Sequence, residues 1–324
     1  MKENARAVTV ATVTARTIRP LSNAIPANHA GVLATRMIIA SSLAAFGSTP
    51  PGTTFSQVDQ HAASGRVRGE WVRATDHLRQ DAVLLYLHGS AFVACSPRTH
   101  RGITSRLSAY ANLPVYTCRY RRAPSHRFPT AADDAATAYR WLLDQGHTNI
   151  LVAGDSAGGH MAIDLALELA RQGQTGPRGL ALFSPLYDAT FALSAQQERI
   201  RRDPMVSAMR ARQLVEHYTR GVDPAHNRLR LAIRDAPALP PVLIQAGGAE
   251  MLSADARQLA QDILAAGGRC ELEIWPEQMH VFQALTRLIP EARPALRRAA
   301  SFLEEALDQD PPGDSGQLTE LREA

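Results

Sequence analysis

A serine flanked by small residues lies between a predicted strand and a predicted helix. The apolar, branched run Ile150–Ala153 stops at the G-x-S-x-G turn Gly154–Gly158, and the stretch His160–Arg171 that follows favours a helix. A serine on such a sharp turn has a strained backbone and an exposed Oγ, so its neighbours must be tiny. The N–H of Ala157, at the helix start, faces the negative charge that forms when a carbonyl is attacked. The spacing therefore predicts Ser156 as a nucleophile.

A serine hydroxyl is a weak nucleophile and needs a base, which in turn needs a carboxylate to orient it. His280 follows the last predicted strand, and Glu250 follows the strand before it. The order serine, acid, histidine is the one that a strand–turn–helix serine requires. Asp255 is the alternative acid, although aspartate at a predicted helix start is often an N-cap. We assign Glu250 because it lies nearer the strand end.

A second loop could supply donors to the same reaction. His88-Gly89-Ser90-Ala91 follows the apolar run Val83–Leu87. In this position, the backbone N–H groups of Gly89 and Ser90 would join that of Ala157 as oxyanion donors. We interpret His88 as a residue that braces the loop and not as a base.

The elements that must position these residues alternate between strands and helices from about residue 82 onward. Such alternation predicts a doubly wound α/β fold with a mostly parallel sheet and helices on both faces. His88, Ser156, Glu250 and His280 each follow a strand, so all four are expected at the carboxyl edge of the sheet. Residues 1–75 are interpreted as helical and irregular.

Composition limits the classes of protein to consider. The chain has 324 residues, 45% hydrophobic and 20% charged, as expected for one large α/β domain or two modest ones. The net charge is +4, and almost all of the positive charges are arginines. The sequence contains no basic run with interleaved aromatic residues, so we expect no nucleic-acid partner. Cys95, Cys118 and Cys270 have no metal-ligand spacing and are typical of free thiols in a reducing compartment, so we expect a cytoplasmic protein.

The N-terminal region shows no apolar core typical of a secretory signal. The apolar stretch Met37–Phe46 is about ten residues long, too short to span a bilayer. It is interpreted as a buried or partly exposed helix without stable membrane insertion. Contact with a membrane surface is the alternative.

A further segment, Tyr120–Pro129, is similar to the Y-R-L-A-P-E-H-x-F-P signature of a known family. Together with the serine turn, it makes the chain resemble the bacterial hormone-sensitive-lipase-like (family IV) esterases from about Val83 to Phe282. The segment departs from the signature at Arg122 and Ser125. Ser90 also departs, since it replaces a glycine of the family's H-G-G-G.

The resemblance implies an α/β-hydrolase fold with a helical cap. The cap would comprise residues 1–75 and an insertion at about 188–225. The catalytic domain would cover 76–310, and 311–324 is interpreted as a disordered tail. The family's brace for the oxyanion loop is expected at Tyr120–Pro129.

The implied activity is hydrolysis of short- to medium-chain carboxylic esters through an acyl-enzyme, with Ser156, His280 and Glu250 as the triad. No cofactor or metal is expected, and the partner is a small-molecule ester or lipid. Acyl transfer to an alcohol and a non-catalytic, receptor-like ligand-binding role stay as alternatives, and a homodimer is left open.

Overall fold

The computed structural model describes residues 2–75, 78–235 and 239–309. Their strands are β1 (Thr54–Ala62), β2 (Gly65–Arg73), β3 (Ala82–Leu87), β4 (Val115–Cys118), β5 (Asn149–Asp155), β6 (Leu180–Phe183), β7 (Val242–Gly247) and β8 (Cys270–Trp275). Their helices are α1 (Lys2–Ala24), α2 (His29–Phe46), α3 (Pro97–Tyr110), α4 (Thr130–Asp144), α5 (Ala157–Arg171), α6 (Ala192–Ile200), α7 (Ala208–Thr219), α8 (Asn227–Arg230), α9 (Ser253–Ala265) and α10 (Ala292–Asp308).

All eight strands form one sheet in the order β1-β2-β4-β3-β5-β6-β7-β8. The strands from β3 to β8 pair in parallel, whereas β1 and β2 pair antiparallel. Because parallel strands end at the same edge, the loops after β3, β5, β7 and β8 meet there. The predicted fold, an α/β hydrolase with a mostly parallel sheet, is confirmed.

The sheet has a core on each face. Side chains alternate along a strand, so Val83 and Leu85 of β3 join the cluster shared with α4, α5 and α9. Leu84 and Tyr86 point to the other cluster, which α3 and α10 complete. With both faces covered, every residue of β3, β5 (apart from its first) and β7 is buried. This burial explains why these strands are continuous apolar runs in the sequence.

The N-terminal prediction is wrong for part of 1–75. Residues 54–73 form a β-hairpin at one edge of the main sheet, so this part of the predicted cap segment belongs to the sheet. No residue of β1 is buried and most are exposed, so no continuous apolar run marks the strand in the sequence. The preceding apolar stretch is also longer than predicted, because α2 has 18 residues and not about ten.

Helices α1, α2, α6 and α7 pack together over the carboxyl edge of the sheet. Arg19 of α1 pairs with Glu198 of α6 at 2.8 Å. Asn23 accepts hydrogen bonds from the backbone and side chain of Ser207, just before α7. Thus the N-terminal helices and the insertion between β6 and β7 contact each other directly. The predicted tail, 311–324, lies outside the described residues.

The chain after β8 does not enter its last helix directly. A 3₁₀ turn at Phe282–Ala284 is followed by irregular chain, and α10 begins at Ala292. Pro290 lies in this interruption, where it is compatible with the end of a helix but not with its interior. The consequence is that the loop after β8 is long enough to fold back over the sheet edge.

Candidate active site

Ser156 lies on a strained turn between β5 and α5. Its backbone has φ 53° and ψ −119°, outside the ordinary regions for a non-glycine residue. A Cβ on Gly158 would lie 1.9 Å from the carbonyl oxygen of Leu87, and one on Gly154 would lie 2.5 Å from that of Gly158. Both glycines are therefore required by close backbone packing, as predicted from the G-x-S-x-G spacing.

Ala157 is the first residue of α5, where a backbone N–H has no intrahelical acceptor. The helix dipole adds partial positive charge at this end. The N–H is thus placed to stabilise a negative charge beside the Ser156 hydroxyl.

The loop after β3 approaches the same serine. A Cβ on Gly89 would lie 2.9 Å from the Cβ of Ser156 and 2.6 Å from the carbonyl oxygen of Asp155. Gly89 is followed by three non-glycine residues with positive φ, namely Ser90 (80°), Ala91 (54°) and Phe92 (60°). The loop combines proximity to the nucleophile with backbone strain, which the contacts around it must hold in place.

The segment Tyr120–Pro129 provides part of that support, as expected. The Tyr120 hydroxyl lies 2.7 Å from the carbonyl oxygen of His88 and 3.2 Å from that of Gly89. The N–H of Ala123 donates to Phe92 O at 3.0 Å, and the Arg122 guanidinium donates to the carbonyl oxygen of Cys95. Arg122, a departure from the family signature, therefore has a specific contact in the loop.

A second arginine holds the loop from the N-terminal region. Arg36 of α2 donates from Nε to the carbonyl oxygen of Val93 at 2.7 Å and from Nη2 to that of Ala123 at 2.9 Å. It thus joins the loop after β3 to the bracing segment. Arg36 could not be predicted as a site residue, because the sequence pattern of a helix does not show which way its one arginine points.

His88 has the structural role predicted for it. The ring is buried and stacks on Tyr120 with centroids 4.2 Å apart. Burial, together with the charge of nearby His100, lowers the pKa of His88 to about 3. A histidine that stays neutral and enclosed at ordinary pH braces the loop and does not exchange protons with a substrate.

Glu250 and His280 form a direct pair. Glu250 Oε2 lies 2.5 Å from His280 Nδ1, and its carboxylate is buried, whereas His280 is about one-fifth exposed. Glu250 Oε1 accepts hydrogen bonds from the Ser184 hydroxyl (2.7 Å) and from Gly247 N–H (2.6 Å). The carboxylate is therefore fixed on one oxygen and orients the histidine with the other.

The electrostatics of this pair favour a charged imidazole. Burial alone would lower the pKa of His280, but the charge of Glu250 and its hydrogen bond raise it above the ordinary value. The buried carboxylates of Asp203 and Asp155 add to this effect. The site is thus arranged to stabilise His280 when it takes up a proton.

Asp255 is directed elsewhere. Its Oδ1 accepts the backbone N–H groups of Tyr187 (3.0 Å) and Asp188 (2.8 Å), and its Oδ2 accepts the hydroxyl of Ser194 at 2.9 Å. It is not the N-cap of α9 either, since that position is Leu252. Asp255 therefore anchors the start of the inserted helices.

Two buried aspartates near the site were not predicted as functional. Asp155 accepts hydrogen bonds from the Tyr86 hydroxyl (2.7 Å) and from His100 Nε2 (3.3 Å). Asp203 accepts the N–H of Met251, next to Glu250, at 2.9 Å. Asp155 lies next to Ser156 in the serine turn, and this position is the one feature of the sequence that could have indicated a functional role. Asp203 lies in the insertion, and no local sequence pattern predicts its contact with Met251.

Ser156 and His280 line one mostly apolar cavity of about 290 Å³. Its walls include Ile18 of α1, Ile39 of α2 and Leu214 of α7. A larger, more polar cleft of about 430 Å³ contains no predicted catalytic residue. Within 2–75, 78–235 and 239–309, no cluster of three or more His, Cys, Asp or Glu side chains could hold a metal ion.

Comparisons with known proteins agree with this geometry. Residues 84–284 match the alpha/beta hydrolase fold family. An acetyl-hydrolase of Streptomyces hygroscopicus is 37% identical over 81% of this chain and 86% of its own length. The carboxylesterase/phospholipase LipF of Mycobacterium tuberculosis is 36% identical over 76% of this chain and 67% of its own length.

Solved structures extend the comparison to almost the whole chain. The crystal structure of an esterase from the bacterial hormone-sensitive lipase family superposes with a TM-score of 0.82 at 29% identity, covering 95% of this chain and 99% of that one. The structure of the esterase EstE5 soaked with p-nitrophenyl butyrate gives 0.83 at 28% identity, covering 94% and 99%. The chain belongs to the alpha/beta hydrolase fold family and is an esterase of its bacterial hormone-sensitive-lipase branch.

Proposed function

We propose that this esterase hydrolyses short- to medium-chain acyl esters with a Ser156–His280–Glu250 triad. The observation that carries the proposal is the buried Glu250 carboxylate, held by Ser184 and Gly247 and paired with His280 at 2.5 Å. That histidine lines the same cavity as the strained serine. A carboxylate, an imidazole and a hydroxyl in this order are what acyl transfer through serine requires.

In the first half of the reaction, Ser156 Oγ attacks the acyl carbonyl as its proton moves to His280 Nε2. Glu250 holds the Nδ1 proton and stabilises the imidazolium. The N–H groups of Gly89, Ser90 and Ala157 bind the oxyanion. The tetrahedral intermediate collapses to an acyl-serine as His280 gives its proton to the leaving alcohol. Water then repeats the sequence, releases the acid and restores the free serine.

The size of the cavity supports a small acyl group. At about 290 Å³ it is near the lower end of the range for small-molecule sites. The names of two relatives point the same way, namely an acetyl-hydrolase and the ethyl acetate hydrolase of Pseudomonas putida, 33% identical over 70% of this chain. We therefore expect activity to fall as the acyl chain of a p-nitrophenyl ester series lengthens.

The test is covalent labelling with a fluorophosphonate probe. We expect wild type to be labelled and Ser156→Ala to be unlabelled, with the hydrolysis rate reduced by about 10⁶-fold. Matching melting temperatures would show that both are folded. Equal labelling of the two proteins would refute Ser156 as the nucleophile.

Two further measurements address the alternatives: product analysis tests acyl transfer, and ligand binding tests a receptor-like role. An acyl-enzyme that reacts with added alcohol in preference to water would indicate acyl transfer. Tight ligand binding without turnover, in a protein that is not labelled, would indicate a receptor-like role. The intact His280–Glu250 pair favours turnover.

A further inference from the structure

Helix α2 carries apolar side chains on both its inner and its outer side and yet lies at the surface. Ile38, Ile39 and Leu43 line the substrate cavity. On the opposite side, Leu33 and Met37, four positions apart, are 45% and 71% exposed, and the next residue of this stripe is the exposed Ser41. Only Gly31 and Val32 are buried. A helix with apolar side chains on opposite sides is normally covered, and α2 is long and apolar enough to cross a membrane by length and composition alone.

The one arginine of α2 does not interrupt its outer side. Arg36 points inward, where it binds the carbonyl oxygens of Val93 and Ala123. These contacts fix α2 to the folded domain. The helix is therefore attached by its inner side, and its outer side is left apolar.

Helix α1 lines the same cavity as α2 and carries positive charge on its own outward side. Thr14, Ile18 and Ser22 line the cavity, so the opposite side of α1 faces outward. Arg6 and Arg16, ten positions apart, are exposed on that outward side and form no ion pair with the described residues. Glu3 is the single acidic residue in the sequence of α1, and α2 contains none.

Exposed apolar side chains accompany these arginines. Val13, between Arg6 and Arg16 on the outward side, is 55% exposed. We call Arg6, Val13, Arg16, Leu33 and Met37 together the outer face. Apolar side chains next to unpaired arginines are typical of helices that lie in a membrane interface.

We propose that the outer face is a docking surface for an anionic lipid bilayer. The apolar side chains would enter the boundary between headgroups and acyl chains, while Arg6 and Arg16 would contact lipid phosphates. A second copy of the chain is a poorer occupant, because a two-fold contact between equivalent faces would bring the same arginines together. Docking would place the helices that line the substrate cavity at the lipid surface. It does not require ester cleavage and stands independently of the proposed function.

The test is sedimentation of the full chain with vesicles of phosphatidylcholine, alone or mixed with phosphatidylglycerol. We expect binding to the mixed vesicles and much weaker binding to phosphatidylcholine alone. Leu33→Glu combined with Met37→Glu should reduce the partition coefficient by at least about tenfold. Each of Arg6→Gln and Arg16→Gln should reduce it by about fivefold. The Ser156→Ala variant should bind as wild type does, whatever its hydrolytic activity.

Matched controls lie at the opposite end of the sheet. Gln174→Glu, in the loop before β6, introduces an exposed acidic residue and so matches the glutamate substitutions in α2. Arg171→Gln, at the end of α5, removes an exposed arginine and so matches Arg6→Gln and Arg16→Gln. Both should leave partitioning unchanged. Melting temperatures close to wild type would show that the outer-face variants are folded.

Three results would overturn the proposal. They are no binding of wild type to anionic vesicles, equal loss in the matched controls, and a dimer in solution that Leu33→Glu with Met37→Glu converts to a monomer. The last result would assign the outer face to a second copy of the chain.

Discussion

The two halves of the active site are held in different ways. The acid–histidine half, comprising Ser184, Glu250 and His280, is fixed by short contacts among loops at the ends of β6, β7 and β8. The half that we propose as the oxyanion site, the loop Gly89–Cys95, depends on arginines from other regions, namely Arg36 of α2 and Arg122 of the bracing segment.

Both halves contain strained backbone, but its arrangement differs. The loop of the oxyanion half places three successive non-glycine residues at positive φ, from Ser90 to Phe92, whereas in the acid–histidine half the separate residues Ser184 (48°) and Val281 (49°) have positive φ. Each such residue costs on the order of 1–3 kcal/mol, which surrounding contacts must offset. The acid–histidine half is held mainly at the strand ends, with Asp203 of the insertion as an added support, whereas the oxyanion half is held by side chains from α2 and the bracing segment. Substitutions of those α2 and bracing side chains should therefore alter oxyanion binding and leave the titration of His280 unchanged.

Among the residues that support Ser156, the largest loss of activity is expected on substitution of Glu250. In Glu250→Gln, the amide oxygen can accept from Ser184 and Gly247, but the amide nitrogen then faces His280 Nδ1 as a donor. This favours the wrong imidazole tautomer, and kcat should fall by about 10³–10⁴-fold, as for the corresponding change in a serine protease. The decrease is measured with a soluble p-nitrophenyl ester.

The pH profile of the same variant provides a second test. His280 must be neutral to act as a base, so kcat/KM falls as pH decreases through its pKa. Glu250 raises that pKa, and its neutralisation should move the acidic limb to lower pH. A limb at the wild-type position would show that Glu250 does not control the histidine.

Arg36 should produce a smaller effect with a different signature. Arg36→Leu leaves the carbonyl oxygens of Val93 and Ala123 without their donor and loosens the oxyanion loop. Because loss of one oxyanion donor costs about 3 kcal/mol, partial misplacement should lower kcat by about tenfold. The acidic limb should not move, and Ser41→Ala, exposed on the same helix, is the control. A shifted limb would contradict the independence of the two halves.

A still smaller effect is expected from the contact between Ser90 Oγ and Cys95 Sγ, 2.9 Å apart. This hydrogen bond holds Ser90 at φ 80°. Cys95→Ala should lower kcat about fivefold, a loss of about 1 kcal/mol. In a Ser90→Gly background, where glycine adopts this φ freely, Cys95→Ala should have no further effect on kcat. Equal losses in both backgrounds would show that Cys95 acts only through packing.

The same contrast explains what could be predicted from the sequence. The parallel strands β3, β5 and β7 are buried on both faces and produce continuous apolar runs, while the edge strand β8 alternates polar and apolar residues. The fold and the positions of Ser156, Glu250 and His280 could therefore be inferred from where each strand ends. The hairpin β1–β2 lies at the sheet edge, where exposed side chains remove that signal. Its strands were consequently missed.

The supports of the oxyanion half could not be inferred in the same way. Arg36 and Val93 are 57 positions apart, and neither residue type predicts the contact. The acid–histidine half has one contact of the same kind, since Asp203 of the inserted segment accepts the N–H of Met251, next to Glu250. Such contacts depend on how helices pack over the sheet, which local sequence patterns do not encode.

The smallest catalytic effect is expected at Asp255, the alternative acid. Asparagine can accept the two N–H groups of Tyr187 and Asp188 on its oxygen and donate to the Ser194 hydroxyl, so Asp255→Asn should keep kcat/KM within about twofold of wild type. A loss as large as that of Glu250→Gln would reverse the assignment of the acid.

Stability should respond to Asp255→Asn instead. Burial raises the pKa of Asp255 to about 7, although hydrogen bonds from the backbone and Ser194 oppose this, while in the unfolded chain it is about 3.9. The protonated form is thus favoured in the fold, and its stabilisation is lost as pH rises from about 4 through about 7. Asparagine is neutral throughout this range. The melting temperature of Asp255→Asn should therefore rise relative to wild type between about pH 4 and pH 7, and a constant difference over this range would show that Asp255 does not titrate there.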